Sequence, residues 1–256
     1  MLATMPDGGT LLVALACAVA VLFGGVVKGA TGVGLPMIAV PLMLQLVPAP
    51  LAITLMAVPV LASNLLQLDD RRLVAGAVAR FWTLLLALLV ATVVGANALA
   101  AASARAMNIG LGLVTVGMAV MQMRQGTGPR RPVRNERLLS PAVGLVAGLL
   151  GGISSFAGPP LLAYLLRLEL ASHAFVVTIS LFYICAAVPL YVSLIAHGAV
   201  EWPALVASLA LVAPAYGGLL IGRRLRRTLD ERQFRGLIIA VLMTSGLGLL
   251  VKAALA

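Results

Sequence analysis

Long apolar runs separated by short polar connections repeat along nearly the whole chain. They cover Leu11 to Val27 and continue through a break to Val47, then Leu51 to Leu68, Phe81 to Ala102, Ile109 to Met123, Pro141 to Leu166, Phe175 to Ala196, Ala204 to Ile221 and Leu237 to Val251. A helix needs roughly 20 apolar residues to cross the hydrocarbon core of a bilayer. The pattern therefore predicts an all-α polytopic membrane protein with eight hydrophobic segments, numbered here in chain order. Composition agrees, since 62% of the 256 residues are hydrophobic and 10% charged, far more apolar surface than one soluble core can hide. The opening stretch MLATMPDGGTLL has no basic residue ahead of its apolar run, unlike a secretory signal peptide, and segment one is read as structure.

Segments one and five are interrupted by glycine-rich stretches, KGATGVGLP from Lys28 to Pro36 and GGISSFAGPP from Gly151 to Pro160. Superposing the two places Gly24 on Gly148, Gly34 on Gly158 and Pro36 on Pro160, so each half of the chain carries one copy. Further along, GAVARFW from Gly76 matches GAVEWPA from Gly198, and Gly95 meets Gly217. Interrupted segments in corresponding positions of two halves point to the substrate site of a transporter.

The net charge of +10 is carried by loops between apolar runs, which reads as a topology signal and not as a nucleic-acid surface. Basic clusters lie at Arg71, Arg72 and Arg80, from Arg124 to Arg137, and from Arg223 to Arg235, and all three loops are expected to be cytoplasmic. Segments three and four, an even number, join the first cluster to the second. Segments five, six and seven, an odd number, join the second to the third, so one of them is not a simple crossing. Segment five, with its central break, is the natural re-entrant hairpin, and by repeat symmetry segment one is another. The chain then reads as two inverted repeats, residues 1–123 and 140–256, each a broken hairpin plus three crossings, joined by a cytoplasmic linker at 124–139. Of the 18 Lys and Arg residues, all but Arg105, Lys252 and Lys28 fall on the cytoplasmic side, and both termini face the periplasm.

Backbone that leaves helical geometry at membrane depth exposes N–H and C=O groups that lipid cannot satisfy, so each break marks a protein-lined cavity. Pro36 and Pro160 suit the first turn of an outgoing half-helix. Two helix N-termini then point toward the middle of the membrane, and their N–H groups and positive dipole ends favour an anion. Gly29, Gly32, Gly34, Gly151, Gly152 and Gly158 permit close backbone approach, and Thr31, Ser154 and Ser155 offer hydroxyls. Glycine clusters in membrane helices also serve as packing contacts, but two related copies with proline and hydroxyls favour a site. Lys28 is the ionisable side chain of the first break, while all 8 acidic residues lie at segment ends or in loops. A buried cation without a buried carboxylate suits an anionic ligand; the alternative is a side chain that snorkels to the cytoplasmic headgroups. Asn64 and Gln67 end segment two, and Thr178, Ser180 and Tyr183 lie in segment six, its repeat partner. The candidate substrate-binding set is thus Lys28, Gly29, Thr31, Gly32, Gly34, Asn64, Gln67, Ser154, Ser155, Gly158, Ser180 and Tyr183.

The remaining polar and aromatic residues narrow the function. Trp82 and Trp202 fall near the starts of equivalent segments, as interfacial belt residues do, and His173 and His197 fall at segment ends. Cys17 and Cys185 lie alone in separate segments, without metal or disulfide spacing, and no cofactor is expected. With no Asp or Glu in mid-segment, a carboxylate proton relay or sodium site is disfavoured, although a co-transported proton or other ion stays open as a partner. An integral-membrane phosphatase also uses broken hairpins, yet both breaks lack the His, Asp, Glu or Arg such chemistry needs, so the chain is read as a non-enzyme. A passive anion channel shares every feature of a carrier and stays open as the alternative.

The stretches KGATGVGLPMIAVPL, VPVLASNLLQ, GLLGGISSFAGPPLLAYLL and TISLFYICAAVPLY resemble the sulfite exporter TauE/SafE family of bacterial inner-membrane anion permeases. The resemblance covers nearly the whole chain, including its layout of two repeats. It implies export or uptake of sulfite, organosulfonates or related small organic anions across the inner membrane. Within the second copy, Gly152 stands where the first has Lys28, and Ser154 and Ser155 stand where it has Ala30 and Thr31.

Overall fold

The computed structural model describes residues 8–32, 34–124, 135–200, 202–225 and 231–255. The central ten residues of the expected linker (125–134), the N-terminal stretch 1–7, and part of the last basic cluster (226–230) lie outside the described residues. Those described form α-helices and connecting turns without a strand. In chain order the helices are α1 (Gly8–Thr31), α2 (Leu35–Met43), α3 (Ala49–Leu55), α4 (Ala57–Leu65), α5 (Arg71–Ala100), α6 (Ala104–Arg124), α7 (Glu136–Ser154), α8 (Gly158–Leu165), α9 (Ser172–Ala196), α10 (Trp202–Ala210), α11 (Val212–Leu225) and α12 (Glu231–Leu255). Among the described residues, 7 helical stretches are long and apolar enough to cross a membrane, and Ala49–Leu65 is a shorter apolar one.

The first and fifth apolar segments break where their glycines and prolines predict. After the first break, α2 folds back along α1, so that Gly24 lies against Leu35 and Ala39. After the second, Gly151 of α7 lies against Ala157 at the start of α8. Both α1 and α7 are nonetheless long enough to cross a membrane by themselves.

Two further interruptions go unmarked by the hydrophobic pattern. Segment two divides into α3 and α4 at Met56, and segment seven into α10 and α11 at Leu211. The physical signal is a proline three residues beyond each break, Pro59 and Pro214, whose ring obstructs the carbonyl four residues earlier and which carries no N–H. At the first of these breaks one side chain reconnects the backbone: Ser208 of α10 accepts from Val58 N at 3.0 Å and donates to Leu55 O at 2.9 Å.

Helices meet through their small residues while large apolar side chains turn outward, among them Leu12, Val90, Val192 and Leu209. Such an apolar exterior is what a lipid-facing surface requires. Helix α1 packs on α11, where Gly25 and Gly29 meet the backbone of Ala215 to Arg223, and Gly218 and Gly222 meet that of Leu22 to Ala30. In the same manner Gly144, Gly148 and Gly152 of α7 pack on the backbone of α5 from Leu84 to Ala96. Helices α6 and α12 meet at Gly112 and Gly246. Phe81, at a kink in α5, stacks edge-on against Phe182 of α9 and Tyr164 of α8. Arg80 beside it forms a two-pronged ion pair with Glu136 at the start of α7, at 2.7 and 2.8 Å. Lys252 of α12 donates to the Leu44 and Gln45 carbonyls at 3.1 and 2.9 Å, meeting acceptors that the end of α2 leaves without helical partners.

Candidate functional site

The first break is built by turn glycines. Gly32 donates its N–H to Lys28 O at 2.7 Å, closing α1, and takes φ +85°. Gly34 precedes α2 at φ +105° with no side-chain cap, and Pro36 stands in the first helical turn. Only glycine enters such left-handed geometry without strain. Gly29, by contrast, faces α11, where an added Cβ would meet the Leu219 carbonyl; it is a packing glycine. The Thr31 hydroxyl donates to Val27 O at 2.9 Å, and the residue is exposed.

Lys28 is 3% exposed. Its side chain lies inside the protein. Its ammonium donates to Asn64 Oδ1 at 2.6 Å and to Ser63 Oγ at 3.0 Å, both at the end of α4. Asn64 is oriented in turn by donating Nδ2 to Val60 O at 2.8 Å. Among the described residues no carboxylate pairs with this lysine. An ammonium carries three donors, and taking one out of water without a counter-charge is unfavourable unless an anion arrives. Ser63, the neighbour of a residue that sequence singled out, went unnoticed because a serine near a helix end has many ordinary uses.

At the second break the turn is made by a residue with a side chain. Ser155 takes φ 64° and donates its N–H to Gly151 O at 2.7 Å. Ser154 is buried and spends its hydroxyl on Leu150 O at 2.6 Å. Helix α8 opens without a side-chain cap as Gly158, Pro159 and Pro160, and the hydroxyl of Tyr183 sits against Gly158. Because both prolines lack an N–H, this first turn offers one backbone donor, that of Gly158, whereas the first turn of α2 keeps those of Leu35 and Met37.

The two breaks share one cavity. It is lined by Pro36 from the first, Gly151, Ser155 and Ala157 from the second, Val60 of α4, and Tyr183, Ala186, Ala187 and Leu190 of α9, and its volume of about 10 Å³ has room for about one water molecule. Val60 belongs both to this wall and, through its carbonyl, to the network that orients Asn64 and Lys28. Gln67 and Ser180 join each other instead: the Ser180 hydroxyl donates to Gln67 Oε1 at 2.6 Å, tying the end of segment two to α9. Asp69 and His173 form a surface pair at 3.0 Å between the same two regions. The hydrogen bond from His173 holds the Asp69 carboxyl below its ordinary range.

Of the candidate residues, then, Ser155 and Tyr183 line the cavity, Gly158 lies against Tyr183, and Lys28 and Asn64 adjoin the cavity through Val60. Gly32 and Gly34 shape the turn, while Gly29, Thr31, Ser154, Gln67 and Ser180 engage other partners. Free helix starts, hydroxyls and one ammonium can receive a small oxyanion. Compared with known families, the chain matches the family model described as Sulfite exporter TauE/SafE over residues 17–249. Comparison with curated proteins and with solved structures finds no match.

Proposed function

Since the chain belongs to the sulfite exporter TauE/SafE family, whose members are multi-pass membrane transporters of anions, we propose that it is an alternating-access carrier for sulfite, organosulfonates or related small organic anions. The observation that carries this reading is that both breaks meet at one small cavity, with Pro36 from one and Ser155 from the other on its wall. In the mechanism we favour, the anion enters between the starts of α2 and α8, is attracted by the Lys28 ammonium, and accepts hydrogen bonds from backbone N–H groups and wall hydroxyls. Rocking of one half of the chain against the other then exposes the site to each side in turn.

Two reciprocal contacts support reading residues 1–123 and 140–256 as inverted repeats: α1 rests on α11 as α7 rests on α5, through glycines in both cases. On the same reading α1–α2 and α7–α8 are re-entrant hairpins, 124–139 is a cytoplasmic linker, and both termini face the periplasm across the bacterial inner membrane. On this reading a co-transported proton or other ion is carried without a dedicated carboxylate.

Counterflow of sulfite and small sulfonates in proteoliposomes, compared between wild type and Lys28→Gln, tests the proposal. Saturable exchange that falls at least about tenfold in the variant is expected from loss of a buried charge contact to an anion. Flux that neither saturates nor shows counterflow would identify a passive channel, and exchange untouched by the substitution would remove Lys28 from the site.

A further inference from the structure

One buried donor in α9 lacks a full hydrogen bond among the described residues. Tyr191 is 5% exposed, and among the described residues its hydroxyl has no hydrogen-bond partner of full geometry. Burying an O–H without a partner is unfavourable, and phenylalanine would fill the same space with no polar atom to bury. The position of this hydroxyl suggests its use. Tyr191 follows Leu190, a cavity-wall residue, and its hydroxyl interacts with Ser155, another wall residue, without reaching the geometry of a full hydrogen bond. Two helical turns earlier on α9, the Tyr183 hydroxyl sits at Gly158, the first residue of α8.

The second break also needs such donors more than the first does. Pro159 and Pro160 leave the opening turn of α8 with the Gly158 N–H alone, and Gly152 holds the place that Lys28 has in the first copy. The second break brings no ammonium of its own and few backbone donors, so hydroxyls have to supply the rest of an oxyanion's contacts on that side.

Resting on the transport reading above, we propose that the Tyr191 hydroxyl donates a hydrogen bond to the transported oxyanion, and that with Ser155 and Tyr183 it forms a hydroxyl-built head-group site at the second break. The ligand class is a small oxyanion head, inorganic or carried on a short organic group.

Tyr191→Phe removes this hydroxyl and keeps the ring. In reconstituted vesicles, the KM for counterflow of sulfite and of methanesulfonate is expected to rise about tenfold, as for loss of a hydrogen bond to a charged acceptor, with the maximal rate within about twofold. The thermal midpoint without anion should not fall, because no full hydrogen bond within the protein is lost. A KM within about twofold of wild type overturns the proposal and leaves the hydroxyl to a trapped water. Should the variant itself be less stable, the rise in midpoint produced by saturating methanesulfonate, read within each protein, decides: a rise equal to that of wild type also overturns it. Wild type that exchanges neither anion would instead refute the transport reading, and this inference with it.

Discussion

The first break approaches the shared cavity with an ammonium nearby, and the second with hydroxyls. Their frames are alike: a helix ends, the chain turns through left-handed geometry, and an uncapped short helix with proline in its first turn runs back. Their chemistry is not. At the first break the left-handed positions are glycines, Gly32 and Gly34, whereas at the second it is Ser155, φ 64°. A glycine would relax that backbone more easily, so the Ser155 side chain is held in place against a conformational preference, as at many functional sites. On the transport reading proposed above, the comparison teaches that two related breaks would present one anion with two unlike faces. One end would attract by charge and the other orient by hydrogen bonds.

The frame can be broken at equivalent points. Gly29→Leu and Gly152→Leu each drive a side chain into the backbone of the neighbouring helix, α11 or α5, and each should destabilise the protein by about 3 kcal/mol or more, read as loss of the monodisperse folded species. Comparable losses at both sites would show that the frames bear equal weight. The chemistry should divide them. Lys28→Gln is expected to lower exchange at low anion concentration at least about tenfold, and Ser155→Ala about threefold; equal losses would abolish the distinction between a charged and a hydrogen-bonding end. Away from both breaks, Ser208→Ala leaves the Leu55 carbonyl and the Val58 N–H without the side chain that meets them, and the thermal midpoint should drop by the equivalent of about 1–2 kcal/mol. The smallest effect is expected at the surface. Since the folded Asp69 carboxyl titrates below its unfolded value near 4, the pair with His173 stabilises the fold above that value and loses its effect as pH falls through the lower folded one. A slight difference in midpoint between wild type and Asp69→Asn at pH 7 should therefore vanish at pH 2, and a difference that persists there would assign Asp69 another role.

Much of the arrangement was legible in the chain because it rests on residues with few alternative uses. Paired glycine and proline stretches located both breaks, and Lys28, a cation in an apolar segment far from any acid, announced an unusual environment. Asn64 was found for a related reason, as an amide in a helix that otherwise has little to hydrogen-bond. Other features needed three dimensions. Gly29 and Gly32 look equivalent in sequence, yet one admits a neighbouring helix and the other a turn. Ser208 acts on a backbone 150 residues away, and a single serine in an apolar run gives no hint of that. The division of segment two was foreshadowed by Pro59, but proline inside a membrane helix is common enough that its presence alone does not separate a kink from a break. Tyr191 emerged only from the absence of a full hydrogen bond, which no pattern of residue types records.

The cross-packing of α1 on α11 and of α7 on α5 has a consequence for how the polypeptide is made. When α1 leaves the ribosome, the helix that will cover Gly25 and Gly29 has not yet been translated. The glycine stripe of α1 must wait in lipid, or against an insertion factor, until most of the chain has followed. Helix α5 has a shorter wait, because α7 is the next helix but one. Biogenesis should therefore close the α5–α7 pair early and the α1–α11 pair near the end of synthesis, leaving an interval in which α1 is inserted with α2 beside it but with its Gly25 and Gly29 face still uncovered.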